Sequence, residues 1–298
     1  MQCRQRYTVS ADGASLAYYD EGEGPAVVLT NGFSNSTLYW EPLRKRLRRD
    51  HRVIRWDYRG HGRSGPARQL ETMTVEGCAD DLRRVMDAAG VEGAVLAGFS
   101  FGCQIILEGY RQYSDRVRGL IPVLGPYERP FDTLLHPSLG PLVYEFYERV
   151  DPEVLGAGLK VGALGSWLRP VHAMGKALGF IGPNVSMEEM EPFYTHLATL
   201  DIPTWYAMGR AAQDHSARTV LDEVQVPALV VAGGADRFSP GELGREMARR
   251  IPQGELLWLE GATHTGLFDA REEIERRVAE FLDSLREESA PGQEESVS

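Results

Sequence analysis

The chain has 298 residues, 43% of them hydrophobic and 25% charged, the composition of a globular protein with one large core. Its net charge of −11 opposes phosphate backbones and anionic lipid headgroups, so neither nucleic acid nor a membrane is an expected partner. The three cysteines, Cys3, Cys78 and Cys103, are odd in number, widely spaced and without a CxxC pair, which argues against a disulfide framework or a zinc site. The N-terminal MQCRQRYTVS lacks the apolar stretch of a signal peptide, and no run of about 18 apolar residues occurs. A cytoplasmic protein is the expectation.

Tyr7–Ser10 and Leu16–Asp20 read as short strands around an Asp12-Gly13 turn, an early hairpin. Ala26–Thr30 (AVVLT) has the apolar, β-branched pattern of a strand buried on both faces. Leu38–Arg48 reads as a helix, with Leu43 and Leu47 one turn apart, and Arg52–Trp56 as the next strand. Helix Thr74–Ala89, with Val75, Leu82, Val85 and Met86 on its inner stripe, precedes strand Gly93–Gly98, helix Phe101–Tyr113 and strand Val117–Val123. This order predicts an α/β fold, a mostly parallel central sheet with helices on both faces.

The alternation breaks at Pro126. From there to Gln225 the pattern is helical and irregular, with candidate helices Gly140–Val150, Pro152–Leu168, Val171–Gly179 and Met187–Leu200. Strand Ala228–Ala232, helix Pro240–Arg250, strand Leu256–Leu259 and helix Glu272–Leu285 then resume the sheet. Residues 126–225 therefore read as a helical cap, or lid, inserted into a core made of residues 1–125 and 226–286. Residues 287–298 lack apolar content and are expected to be a disordered tail; Glu287, Glu288, Glu294 and Glu295 place part of the net charge there.

Gly98-Phe99-Ser100-Phe101-Gly102 matches G-x-S-x-G, with a buried strand running in and a helix running out. So tight a turn strains the serine backbone and demands small flanking residues, which Gly98 and Gly102 provide. It lifts the Ser100 hydroxyl above the sheet, at a helix N-terminus that favours developing negative charge. A serine hydroxyl needs a base. Of seven histidines only His264 lies after Ala228–Ala232, just past the strand ending at Leu259, on the sheet edge where open α/β folds bind ligands. Asp236, between that earlier strand and a helix, is the candidate acid that orients the imidazole. A capping or turn role is its plainer alternative, and Glu128 is the other candidate acid.

These residues resemble the α/β-hydrolase family, whose chain order is serine, acid, histidine. Asn31-Gly32-Phe33 stands where the family usually carries His-Gly and an oxyanion-hole amide, with Asn31 replacing the histidine. By that resemblance the Phe33 and Phe101 N–H groups would hold the oxyanion. Asp57-Tyr58-Arg59-Gly60-His61-Gly62-Arg63-Ser64 is similar to the family's loop after its fourth strand. The resemblance covers about residues 7–125 and 226–285. It implies Ser-His-Asp hydrolysis of a small-molecule carboxylic ester through an acyl-enzyme, needing no metal or cofactor; a monomer or homodimer is expected. C–C bond hydrolysis, lactone opening, acyl transfer to alcohols and cofactor-free perhydrolysis use the same triad and stay open, as does a receptor-like protein with slow turnover.

Gly60-His61-Gly62-Arg63-Ser64-Gly65 also matches G-x-G-x-x-G, but Pro66 follows and no helical pattern resumes until Thr74, so no helix N-terminus is there to hold a pyrophosphate. His61 reads as a turn residue whose ring packs or hydrogen-bonds in its loop. Cys78 and Cys103 read as small core residues. His136, His172, His196 and His215 lack metal-ligand spacing. The 126–225 segment is aromatic, with Phe131, Tyr144, Phe146, Tyr147, Trp167, Phe180, Phe193, Tyr194, Trp205 and Tyr206. Most of these should form its own core or its interface with the sheet. Phe33, Phe99, Phe101 and Trp205 are expected to line an apolar substrate pocket.

Overall fold

A run such as AVVLT has no polar face to turn toward water, so its strand must be covered on both sides. The computed structural model, which describes residues 3–163 and 167–289, satisfies this with one eight-stranded sheet between two helical layers. The strands are β1 (Arg4–Val9), β2 (Ser15–Glu21), β3 (Ala26–Thr30), β4 (Arg52–Trp56), β5 (Ala94–Phe99), β6 (Val117–Val123), β7 (Ala228–Gly233) and β8 (Gly254–Leu259). Their spatial order is β1-β2-β4-β3-β5-β6-β7-β8. β1 and β2 form the antiparallel hairpin, β2 pairs antiparallel with β4, and every pairing from β4 through β8 is parallel.

The helices of the core are α1 (Glu41–Leu47), α2 (Val75–Ala88) and α3 (Gly102–Tyr113), followed after the insertion by α9 (Gly241–Arg250), α10 (Gly266–Asp269) and α11 (Arg271–Ser289). α2, α3 and α9 bury Leu82, Val85, Ile105, Ile106 and Met247 on one face of the sheet. α1 and α11 bury Leu43, Leu47, Val278 and Phe281 on the other. α1 starts later than its leucine spacing suggests, because Thr37–Trp40 forms a 3₁₀ turn and Pro42 sits in the first helical turn. α11 continues to Ser289, three residues into the expected tail, while residues 290–298 lie outside the described residues.

Between β6 and β7 the chain leaves the sheet and forms α4 (Gly140–Arg149), α5 (Pro152–Gly162), α6 (Leu168–Ala177), α7 (Met187–Leu197) and α8 (Ile202–Asp214). The helix expected over Pro152–Leu168 ends at Gly162, after a stretch weakened by Gly156 and Gly158. Residues 164–166 of that expected helix lie outside the described residues, and Leu168 opens the next helix. α8 has no counterpart in the sequence reading, although Asp201-Ile202-Pro203 carries its start signal. The Asp201 carboxylate accepts the Thr204 amide at 3.1 Å, with proline in the first turn. The two ends of the insertion meet in a neck. Glu128 and Ser216 form an antiparallel bridge, and the Ala217 amide donates to the Tyr127 carbonyl at 2.9 Å. Among the described residues no helix is long and apolar enough to cross a membrane.

Candidate active site

β5 is buried at every position, and the chain reverses sharply as it leaves the strand to enter α3. Ser100 takes the turn at φ +52°, a left-handed conformation costly for a non-glycine residue. Its neighbours must be small. A Cβ on Gly98 would lie 2.3 Å from the Gly102 carbonyl oxygen, one on Gly102 2.6 Å from that of Thr30, and one on Gly125 2.2 Å from that of Ser100. The strain is held by packing and by the Ser100 amide, which donates to Val123 at 2.9 Å.

β7 and β8 deliver the partners. Asp236 stands three residues past the end of β7. Its Oδ1 accepts the Phe238 and Ser239 amides at 2.8 and 2.9 Å, and its side chain is fully buried. His264 lies in the loop after β8. His264 Nδ1 contacts Asp236 Oδ2 at 2.8 Å, and Nε2 contacts Ser100 Oγ at 2.9 Å. A carboxylate only accepts, so Nδ1 carries the proton and Nε2 presents its lone pair to the serine hydroxyl. The imidazole packs near Phe99 and Phe238, with ring centroids 5.1 and 4.9 Å away. Asp236 thus combines the turn role with the contact to His264, while the helix that follows starts at Gly241 with no side-chain cap. Glu128, the other candidate acid, accepts instead from Ser216 and from Arg218 Nε at 2.9 Å, in the insertion neck.

The His264 loop has supports that the sequence reading missed. The Thr263 and Thr265 hydroxyls, on either side of the histidine, donate to Asp269 Oδ2 at 2.9 and 3.2 Å. Thr265 Oγ1 also accepts the Gly182 amide of the insertion at 2.8 Å, and the Tyr39 hydroxyl donates to the His264 carbonyl at 3.3 Å. Burial pushes the Asp269 carboxyl up. Two threonines flanking a histidine, with an acid five residues on, was the available signal.

Phe33 and Phe101 flank Ser100 in one cavity. Among the described residues neither of their backbone amides donates a hydrogen bond to the protein. Asn31 closes the turn from below. Its Nδ2 donates to the Trp56 carbonyl at 2.8 Å, and its own carbonyl accepts the Tyr58 hydroxyl.

The cavity has a volume of about 450 Å³. Phe33, Phe99 and Phe101 line it as expected, and the insertion adds Phe131, Val171, Met174, Ile181, Met190 and Leu197. Among the described residues no Asp, Glu, Lys or Arg side chain lines it. Trp205, expected as a lining residue, does not reach it. The indole lies behind Phe33, stacked at 5.2 Å, and Nε1 donates to Ser34 Oγ at 2.7 Å.

The insertion histidines stay out of the cavity as well. His172 pairs with the Tyr194 hydroxyl at 2.9 Å, His215 with Glu108 at 3.3 Å, and the His196 ring rests 5.6 Å from that of His61. His61 Nδ1 meets the Arg59 carbonyl at 3.0 Å, inside a loop that reaches no α-helix before Val75, so the glycine pattern there has no helix N-terminus to offer a phosphate. Cys103 Sγ donates to the Gly98 carbonyl at 3.1 Å beneath the turn, and burial raises its thiol far above the usual range.

A family model described as the alpha/beta hydrolase fold matches residues 25–270. The AB hydrolase superfamily protein YisY of Bacillus subtilis is 24% identical over 279 residues, covering 93% of this chain and 99% of its own. The "Putative carbamate hydrolase RutD" of Azorhizobium caulinodans is 28% identical over 253 residues, covering 84% and 88%. An esterase from Exiguobacterium antarcticum shares the fold with a TM-score of 0.76 at 19% identity, over 94% of this chain and 100% of that one. The matched segment runs from β3 through α10 and contains Ser100, Asp236 and His264, and the chain belongs to the alpha/beta hydrolase fold family.

Proposed function

We propose that this chain is a serine hydrolase that cleaves carboxylic esters with uncharged, apolar acyl or aryl groups, through an acyl-enzyme on Ser100. One observation carries the reading. Ser100 Oγ, His264 and Asp236 form an unbroken hydrogen-bonded chain, at 2.9 and 2.8 Å, in the wall of a cavity that no Asp, Glu, Lys or Arg side chain among the described residues lines.

In this mechanism His264 Nε2 takes the Ser100 proton as Oγ attacks the ester carbonyl. The carbonyl oxygen becomes an oxyanion and accepts hydrogen bonds from the Phe33 and Phe101 amides, each worth about 3 kcal/mol to the transition state. The tetrahedral intermediate collapses, the C–O bond to the alcohol breaks, and His264 returns the proton to the departing oxygen. Water, deprotonated by the same nitrogen, attacks the acyl-enzyme, and the acid leaves with Ser100 restored. Asp236 keeps the proton on Nδ1 and stabilises the imidazolium that forms at each step. The apolar wall supports an uncharged substrate, since a carboxylate buried against it costs several kcal/mol with no partner. The insertion, which supplies most of that wall, acts as the cap.

The test is hydrolysis of p-nitrophenyl esters from acetate to dodecanoate by wild type and Ser100→Ala. Wild type turns over, and the variant falls by about 10⁴-fold or more. If wild type is inert to every ester while a fluorophosphonate still labels Ser100, the ester assignment falls and the nucleophile stands. If the label fails as well, the nucleophile assignment is wrong. Aryl carbamates belong in the same assay, because a relative of this chain carries the name of a carbamate hydrolase and the attack on that carbonyl is the same.

A further inference from the structure

Ser34 follows the residue whose amide is assigned to the oxyanion, and it sits at φ +64°. A serine in that conformation is held by its surroundings and not by its own preference. The surroundings come from the insertion. Trp205, on α8, donates its Nε1 proton to Ser34 Oγ at 2.7 Å, and its ring stacks on Phe33 with an interplanar angle of 25°. Both residues are buried, Ser34 at 8% and Trp205 at 6% exposure, so no solvent replaces this bond if it is lost.

Trp205 is itself anchored. The Asp201 amide at the start of α8 donates to the Gly60 carbonyl at 3.0 Å, and the Ala67 amide donates to Thr204 Oγ1 at 3.1 Å. Tyr147 packs edge-on against the indole at 5.9 Å, and its hydroxyl donates to the Tyr206 carbonyl at 2.9 Å. α8 is therefore fastened to the core loop at residues 60–67 and presents one donor to the turn at Phe33 and Ser34.

We propose that Trp205 is a positioning residue for the oxyanion site. Acting through Ser34, it holds the Phe33 amide where negative charge develops. The inference rests on the acyl-transfer reading above. An amide donor acts only if it meets the oxyanion within hydrogen-bond reach, and a displacement of about 1 Å costs about 100-fold in rate. The apolar wall that binds the ground state does not use this bond, so the loss belongs in kcat and not in KM.

Trp205→Phe keeps a ring on Phe33 and removes the N–H; Ser34→Ala removes the acceptor and little else. Both are assayed on the best p-nitrophenyl ester, with active sites counted by fluorophosphonate titration. Binding of an aryl trifluoromethyl ketone, which adds to Ser100 and leaves an oxyanion, is measured alongside. Each variant lowers kcat per labelled site by about 10- to 100-fold with KM within about twofold, and weakens the ketone by the same factor as kcat. The double variant is no worse than the weaker single one, because both remove one bond. Unchanged kcat per labelled site in Ser34→Ala overturns the proposal, and that variant decides alone if Trp205→Phe does not fold. Raised KM with unchanged kcat also overturns it, making Trp205 part of the substrate wall. A wild type that neither hydrolyses nor labels removes the parent reading instead.

Discussion

Asp236 divides its carboxylate between two tasks. Oδ1 is held by the Phe238 and Ser239 amides, and Oδ2 faces His264 Nδ1. Asp236→Asn separates them. The amide oxygen can keep both backbone bonds, but its NH₂ then faces Nδ1 and forces the proton onto Nε2, where it blocks the serine. We predict a loss of about 10³- to 10⁴-fold in kcat with a thermal midpoint close to wild type, measured by ester hydrolysis and a calorimetric scan. Ser100, His264 and Asp236 were legible in the sequence because each follows a strand end with its own local signature: glycines around the serine, a late isolated histidine, an aspartate before a proline-started helix. Trp205 was not. An indole with the spacing of a cavity residue serves equally well behind the first aromatic layer, and only the docking of α8 decides that the polar edge meets Ser34.

At the scale of elements, the β-α alternation was readable because each core helix buries a 3.6-residue stripe and each inner strand is apolar on both faces. The insertion was less so, since α5 is glycine-rich, α6 carries Pro170 and Gly175, and α8 is recognised by its cap alone. Where α7 meets the loop after β4, two neutral histidines face each other. Burial pushes His61 down to about 4, against the nearby Asp201 charge, and burial with the His61 ring beside it pushes His196 down to about 3. Well above pH 6.5 both rings are neutral in the folded and the unfolded chain, and the pair adds nothing to the pH dependence of stability. As pH falls from 6.5 toward 4, the unfolded chain binds protons that the folded chain refuses, so stability declines across that window. Urea unfolding between pH 7 and 4 checks this. In His196→Leu the slope flattens by one proton, about 1.4 kcal/mol per pH unit.

For the whole molecule, the sheet supplies the hydrogen-bonded chain and the insertion supplies most of the wall, so under the proposed function substrate length and chemistry would be set by different parts of the chain. Val171 on α6 lines the cavity far along the sequence from Ser100. Val171→Phe fills space there, and we predict that kcat/KM for the longest accepted esters falls about tenfold while acetate hydrolysis is unchanged, measured across the ester series.

The neck at Glu128 and Ser216 has an evolutionary consequence. Because the chain departs and returns through paired backbone, everything between is a cassette whose exchange leaves the sheet's own termini in register. Under the proposed function, such an exchange would change the apolar wall and leave Ser100, Asp236 and His264 in place. A replacement cassette would have to meet the core at several fixed addresses, among them a donor for Ser34, one for Thr265 and one for the Gly60 carbonyl. Those addresses mark where any exchanged insertion would have to match the core.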